Sequence, residues 1–323
     1  MNIRKYNLHG YEFIKVRNDN FFDITFCSLG ASIYQIEYHF IPLILSPTDE
    51  KDFLLSSVYH GKTIGRIAGR IKNNLLILNG KYYRLAQNEG NNVLHGGLFG
   101  LSNQNFQSKI IENSDNVVIE YTYFSMDLES GFPGNVSVLV RYIVDNQNSI
   151  RVEYEAISDK DTILNLTNHA YFCLGNKNVY DLKLTANVNK YIYPDDKDLC
   201  VVSKKDIDNK FDFKNGMFFK EHIFDEELVN VKAFGYDHML LIDKINDHLL
   251  TLENDKFILD IKSSFNAAQI YTDNYVTNIK MNGTDEIHHR GVAIEPQNDQ
   301  LGDLSLKAGQ KYKQYIQYNF RRK

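Results

Sequence analysis

Five places along the 323-residue chain set titratable side chains among apolar neighbours. They are Arg66 and Arg70 in GRIAGRI, His95 in NNVLHGGLFG, His169 in NLTNHAYF, Asp237 and His238 in GYDHMLLI, and Glu295 in GVAIEPQND. Glu295 closes the run Val292, Ala293, Ile294 and precedes Pro296, which cannot donate to a central ladder. The carboxylate is therefore expected at the end of a buried strand, where it opens on a cleft. His169 has Asn165, Thr167 and Asn168 on one side, whose donors and acceptors can fix a ring tautomer. On the other side Ala170, Tyr171 and Phe172 imply dry surroundings. His95 precedes Gly96 and Gly97, where the backbone turns and can approach another group closely; a histidine that only caps a turn and one that acts on a ligand both fit that position. Asp237 reads either as a strand-start Asx turn or as a functional carboxylate. Arg66 and Arg70 are expected at the surface by default, although flanking Ile and Gly residues allow a half-buried arginine with an anionic or hydroxyl-rich partner.

The chemistry open to this set is bounded by what the rest of the sequence lacks. His288 and His289 are adjacent, so on a strand they would face opposite ways, and no H-x-H or H-E-x-x-H accompanies them; a solvated loop is expected there and no metal. There is no G-x-S-x-G, and none of the three cysteines sits by a glycine-rich turn. GKTIGRIAGR (61–70) lacks both the P-loop ending and the dinucleotide spacing, so no nucleotide cofactor is implied. What remains is general acid and base catalysis on a hydroxyl-rich, uncharged substrate, with Glu ready to accept a proton near neutral pH and His able to donate one. On chemistry alone a glycosidase using Glu295 and Asp237 as its two carboxylates stays open.

The elements that must carry these residues read as strands. NVVIEYTYF (116–124), VSVLVRYIV (136–144) and SIRVEYEAI (149–157) alternate or are rich in β-branched and aromatic residues. The pattern continues in YDLKLTANV, DHLLTLEN, KFILDIKS, AAQIYTDN and KYKQYIQYNF, separated by turn residues. Many short strands at this spacing predict an all-β antiparallel sandwich. The segment 203–216 opens on Ser203 with Asp206 three residues on, and predicts a short turn of helix at most. No Pro/Gly/Ser-rich break or repeat period divides the chain, so one domain over 1–323 is expected.

Composition agrees. A 43% hydrophobic, 24% charged chain with 21 Tyr and 20 Phe has a large core suited to pleated surfaces. A net charge of −5 without runs of like charge gives no nucleic-acid groove and no anionic-membrane surface. No stretch approaches a membrane span, and the start has no signal-like apolar core, so a cytoplasmic location is the default expectation. Cys27, Cys173 and Cys200 are odd in number and far apart, which predicts reduced, buried thiols.

Taken in order, GRIAGRI, LHGGLFG, GFPGNV, NLTNHAYF, YDH, IYT and IEPQ, with the closing AGQKY, run nearly the whole chain and are similar to the motifs of the aldose 1-epimerase family, the galactose mutarotases. The resemblance implies a single β-supersandwich domain, monomeric or homodimeric, that interconverts the α and β anomers of free hexoses without a cofactor. It implies Glu295 as general base and His169 as general acid, with His95, Arg70, Asp237 and Gln269 holding the substrate. Departures from the family pattern are Gly69, where Asn is common; NDQLGD after EPQ, where Pro-Asp-Ala is common; Phe106 in place of Trp; and Ala308 in the closing Pro-Gly. None touches the implied acid or base, so they bear on sugar preference. A hexose-6-phosphate epimerase and a non-catalytic sugar-binding module are the competing readings.

Overall fold

The computed structural model describes residues 1–229 and 233–323. Its strands form the expected all-β antiparallel supersandwich. One layer is a nine-stranded sheet in the order Gln107–Glu112, Asn116–Ser125, Val136–Asp145, Ser149–Ser158, Lys311–Arg322, Phe257–Ser263, His248–Glu253, Lys183–Thr185, Met217–Phe218. The facing layer holds a five-stranded sheet built from residues 2–42 and a six-stranded sheet. The six-stranded sheet runs in the order Tyr171–Phe172, Val292–Gln297, Ala267–Tyr271, Asp237–Ile242, Val188–Pro194, Val201–Asp206. Helix is confined, among the described residues, to Glu50–Leu55, Glu226–Val229 and a few single 3₁₀ turns, and no helix is long and apolar enough to cross a membrane.

The alternation seen in the sequence decides the layers. In Val136–Asp145 every odd-numbered outward residue is partly exposed, while Val136, Val138, Val140, Tyr142 and Val144 are buried. These meet residues of both facing sheets in one continuous core. Aromatic pairs bridge the layers: Phe26 with Tyr142 at 4.8 Å, Phe172 with Tyr318 at 5.4 Å and Phe22 with Phe320 at 5.4 Å between ring centroids. Burying such rings contributes about 1.5–3 kcal/mol each.

The same period-2 rule gives the six-stranded sheet two unlike faces. Leu240, Ile242, Ala268, Ile270, Val292 and Ile294 point into the core. Their alternates Asp237, Met239, Gln269, Tyr271, Glu295 and Gln297 line a cavity on the other side. His238, next to Asp237, therefore turns to the core, where it is packed among Phe211, Tyr191 and Tyr236 and burial lowers it to about 3.

Several sequence expectations are corrected. The segment predicted as a turn of helix begins with an edge strand, Val201–Asp206. Arg66 is not at the surface: it is 3% exposed and donates to Ser125 Oγ, Ser125 O, Met126 O and Pro133 O. His289 is not solvated either; it is buried, with Nε2 bonded to Phe234 O and Nδ1 to the Tyr180 hydroxyl. The three cysteines are free and buried, as expected.

Candidate active site

Strand Tyr171–Phe172 pairs with the Glu295 strand in the register Tyr171↔Ala293 and Phe172↔Val292. Continued by two residues, that register sets His169 opposite Glu295, and His169 Nε2 lies 3.3 Å from Glu295 Oε1. The segment that holds the histidine is residues 61–64, just before GRIAGRI. Lys62 O accepts from His169 N–H, Gly61 N–H donates to His169 O, and strand Thr167–Asn168 pairs with Thr63–Ile64. The polar residues flanking His169 serve this scaffold and not the ring. Asn168 bonds Gly61 O and Ala170 N–H, Asn165 bonds the backbone of Asn298, and His169 Nδ1 has no hydrogen-bond partner among the described residues.

Both members of the pair are nearly fully buried, His169 at 3% and Glu295 at 1% exposure. Burial lowers the imidazole to about 4. Burial pushes the carboxyl well above its ordinary range; the Asp237 charge adds to that and Arg70 opposes it. Each shift has burial as its largest cause and disfavours the charged form of its group. Glu295 Oε2 is buried with no partner among the described residues.

His95 has φ 52, and Gly96 and Gly97 follow at φ 87 and 81. A Cβ on Gly96 would lie 2.0 Å from Gly65 O, so this turn requires glycine both for its backbone angle and for the approach. His95 is tied to Gly69 through both backbone and ring: His95 N–H donates to Gly69 O at 3.0 Å, and Gly69 N–H donates to His95 Nδ1 at 3.2 Å. Burial, His169 and Arg70 all depress its pKa, so the ring is neutral. With Nδ1 accepting, its single proton is on Nε2. The His95 and His169 rings meet edge to face at 5.2 Å, and Tyr59 packs on both, at 4.7 and 5.8 Å. His95, His169 and Glu295 each place one ligand atom within 4.8 Å of the others, a spacing a metal ion would accept. The proton on His95 Nε2 occupies the lone pair that such an ion needs, so the donor set does not suit a metal.

Asp237 is the first residue of its strand, and its side chain turns away from a local Asx turn. Gln269 Nε2 donates to Asp237 Oδ1 at 2.6 Å, and Arg70 lies 3.7 Å from Oδ2. Burial raises the Asp237 carboxyl, and Arg70 and Gln269 counter part of that. Arg70 also donates to both oxygens of Glu89, at 2.8 and 2.9 Å. Burial pulls its guanidinium down, but Asp237 and Glu89 outweigh it and hold Arg70 above its ordinary value. All six residues singled out in the sequence, Arg70, His95, His169, Asp237, Gln269 and Glu295, line one cavity of about 270 Å³. That lies just below the ~300–1,000 Å³ of drug-sized ligand sites and suits one small polar molecule. Sequence reasoning missed Glu89, Tyr59, Asp273 and Gln300, which also line it and sit in loops or next to them, without a periodic signal.

Comparison with known proteins agrees with the motifs. The sequence model of the family described as aldose 1-epimerase matches residues 12–319. The chain is 31% identical to the aldose 1-epimerase of Haemophilus influenzae over 96% of both proteins, and 27% identical to the galactose mutarotase of Sus scrofa over 84% of this chain and 81% of that protein. Among solved structures, the galactose 1-epimerase of Lactobacillus acidophilus superposes with a TM-score of 0.90 at 26% identity, covering 99% of this chain and 98% of that one. With a family match across nearly the whole length and a relative of this identity, the chain belongs to the aldose 1-epimerase family of isomerases.

Proposed function

We propose that this protein interconverts the α and β anomers of free aldohexoses, galactose and glucose among them, by opening and reclosing the pyranose ring. The observation that carries the reading is the buried His169–Glu295 pair, 3.3 Å apart in the wall of the cavity. A sugar entering the cavity exchanges that contact for two of its own. Glu295 takes the proton of the C1 hydroxyl as the C1–O5 bond breaks and C1=O forms, while His169 delivers a proton to O5. Half a turn about C1–C2 presents the other face of the aldehyde. On reclosure His169 takes the proton back from O5 and Glu295 gives its proton to O1, so neither group is consumed and no cofactor is called for. His95, neutral with its proton on Nε2, donates a hydrogen bond without giving the proton up. Arg70, Asp237 and Gln269 form a cross-linked set of donors and acceptors for sugar hydroxyls, pre-organised by Glu89.

The free sugar is favoured over a sugar phosphate by charge. Arg70 is the only arginine or lysine among the described residues lining the cavity, and Glu89 and Asp237 already neutralise it. A mere binding module would not need a base and an acid opposed across one cavity. The deciding experiment follows optical rotation of fresh α-D-galactose, α-D-glucose and maltose with and without protein. Faster relaxation to the same equilibrium supports the reading. Relaxation no faster than buffer, or activity confined to glucose-6-phosphate, overturns it.

A further inference from the structure

Gly69 stands directly before Arg70 at φ +83, and it is not simply an empty position. A Cβ built there would lie 1.7 Å from Nε2, 2.4 Å from Cδ and 2.6 Å from Oε1 of Gln300. The carboxamide of Gln300, 231 residues away in sequence, thus lies against the bare Cα of Gly69 and occupies the volume that any side chain at 69 would take. Its orientation is set by its neighbours. Gln300 Nε2 donates to Ala68 O at 3.1 Å and to Gln297 Oε1 at 3.0 Å, two acceptors that demand the nitrogen on that side. Gln297 is itself buried on the Glu295 strand, and its Nε2 donates to Glu295 O. The loop carrying Gln300 is pinned at its start: Asn298 N–H donates to Asn165 Oδ1 at 2.9 Å, and Lys204 pairs with Asp299. Both donors of the amide are therefore spent, and Oε1 remains, without a protein partner among the described residues, on a side chain that lines the cavity beside Arg70 and Gly69.

We infer that Gln300 is a specificity-determining residue: its Oε1 accepts a hydrogen bond from one hydroxyl of the bound sugar, next to the hydroxyl held by Arg70, and the glycine at 69 is what admits it. An acceptor-only contact selects a hydroxyl that donates towards the wall, so the stereocentre bearing it is read by this pair of residues. The inference rests on the sugar reading of the cavity above.

The test is a cycle between side chain and hydroxyl, measured as Kd by calorimetry and as KM and kcat by polarimetry, with D-galactose, D-glucose and their monodeoxy analogues. The unmodified protein is expected to bind one deoxy sugar about tenfold more weakly than its parent, the loss of one hydrogen bond. Gln300→Ala is expected to weaken the parent sugar by about tenfold in KM with kcat within twofold, and to abolish discrimination against that one deoxy sugar. Gly69→Asn, a residue that tolerates this backbone angle, is expected to displace the amide and behave like Gln300→Ala, and the double variant to lose no more than either single one. Unchanged discrimination in Gln300→Ala, or an equal loss for every sugar tested, overturns the inference. Calorimetry decides this even if the chain fails to speed mutarotation, an outcome that would sink the anomerase reading instead.

Discussion

His169 Nε2 and Glu295 Oε1 are 3.3 Å apart because a two-residue ladder, Tyr171↔Ala293 and Phe172↔Val292, points the next alternate pair at each other. Proton transfer by each group of such a pair is worth ~10²- to 10⁴-fold. Glu295→Gln and His169→Asn are therefore expected to lower kcat by that much each. Their thermal midpoints should stay at or above that of the parent, since each removes a group whose charged form burial disfavours. Polarimetry and thermal unfolding check both halves; a variant within fivefold of the parent rate contradicts the assignment.

Arg66 and Arg70 come from one motif and should respond differently. Arg66 donates to five acceptors, Ser125 Oγ, Ser125 O, Met126 O, Phe132 O and Pro133 O, and Arg66→Lys leaves several of them without a donor, at about 2–4 kcal/mol of stability. The folded fraction should keep its KM. Arg70→Lys loses the two-pronged contact to Glu89 and is expected to raise KM several-fold with a smaller effect on stability. Denaturant titration and KM measured side by side separate the two.

Among the positive-φ glycines, Gly61 and Gly96 resist replacement for a reason that Gly10 does not share. A Cβ on Gly61 would lie 1.7 Å from Ile33 O, and on Gly96 2.0 Å from Gly65 O, whereas Gly10 has nothing within 4 Å. Gly61→Ala and Gly96→Ala are expected to cost at least ~3 kcal/mol, combining backbone strain with overpacking. Gly10→Ala should cost about 1 kcal/mol, the backbone strain alone. Equal losses at the three sites would refute the close-approach argument.

Asp273 lines the same cavity, its Oδ2 has no partner among the described residues, and burial, reinforced by Glu286, raises it to about 8. Between its unfolded value near 4 and about 8 the native state holds a proton that the unfolded chain has released, so this group makes stability fall as pH rises through that window. Asp273→Asn, neutral at every pH, should converge on the parent as pH falls to 4 and exceed it by a few kcal/mol at pH 8.5. The buried His60 and His238, both lowered to about 3, give the opposite slope below pH 6.5, but they are common to both proteins and cancel in the difference. A stability gap that does not change with pH would count against the buried carboxyl.

The fold was legible where one face of a strand is buried and the other wet, as in Val136–Asp145 and Ser149–Ser158. It was not legible in Val201–Asp206. That edge strand shows Ser203, Lys204, Lys205 and Asp206 to solvent on both faces, the charged edge that keeps sheets from pairing further, and it therefore carries no period. Glu295 announced itself through the apolar run before it. The partners of the NLTNH segment did not: Asn165 reaches to Asn298, 133 residues on, instead of steadying the histidine beside it. Glu89 and Gln300 occupy loop segments whose significance comes only from what they meet in space, Arg70 in one case and a bare glycine in the other.

The Phe172 ring packs on Tyr318 and Phe320 of the opposite layer, three residues beyond His169. That contact fixes the ladder Tyr171↔Ala293 and Phe172↔Val292, and with it the His169–Glu295 spacing, to the aromatic core between the two layers. A packing change in that core, far from the cavity, is therefore expected to be felt at the His169–Glu295 contact.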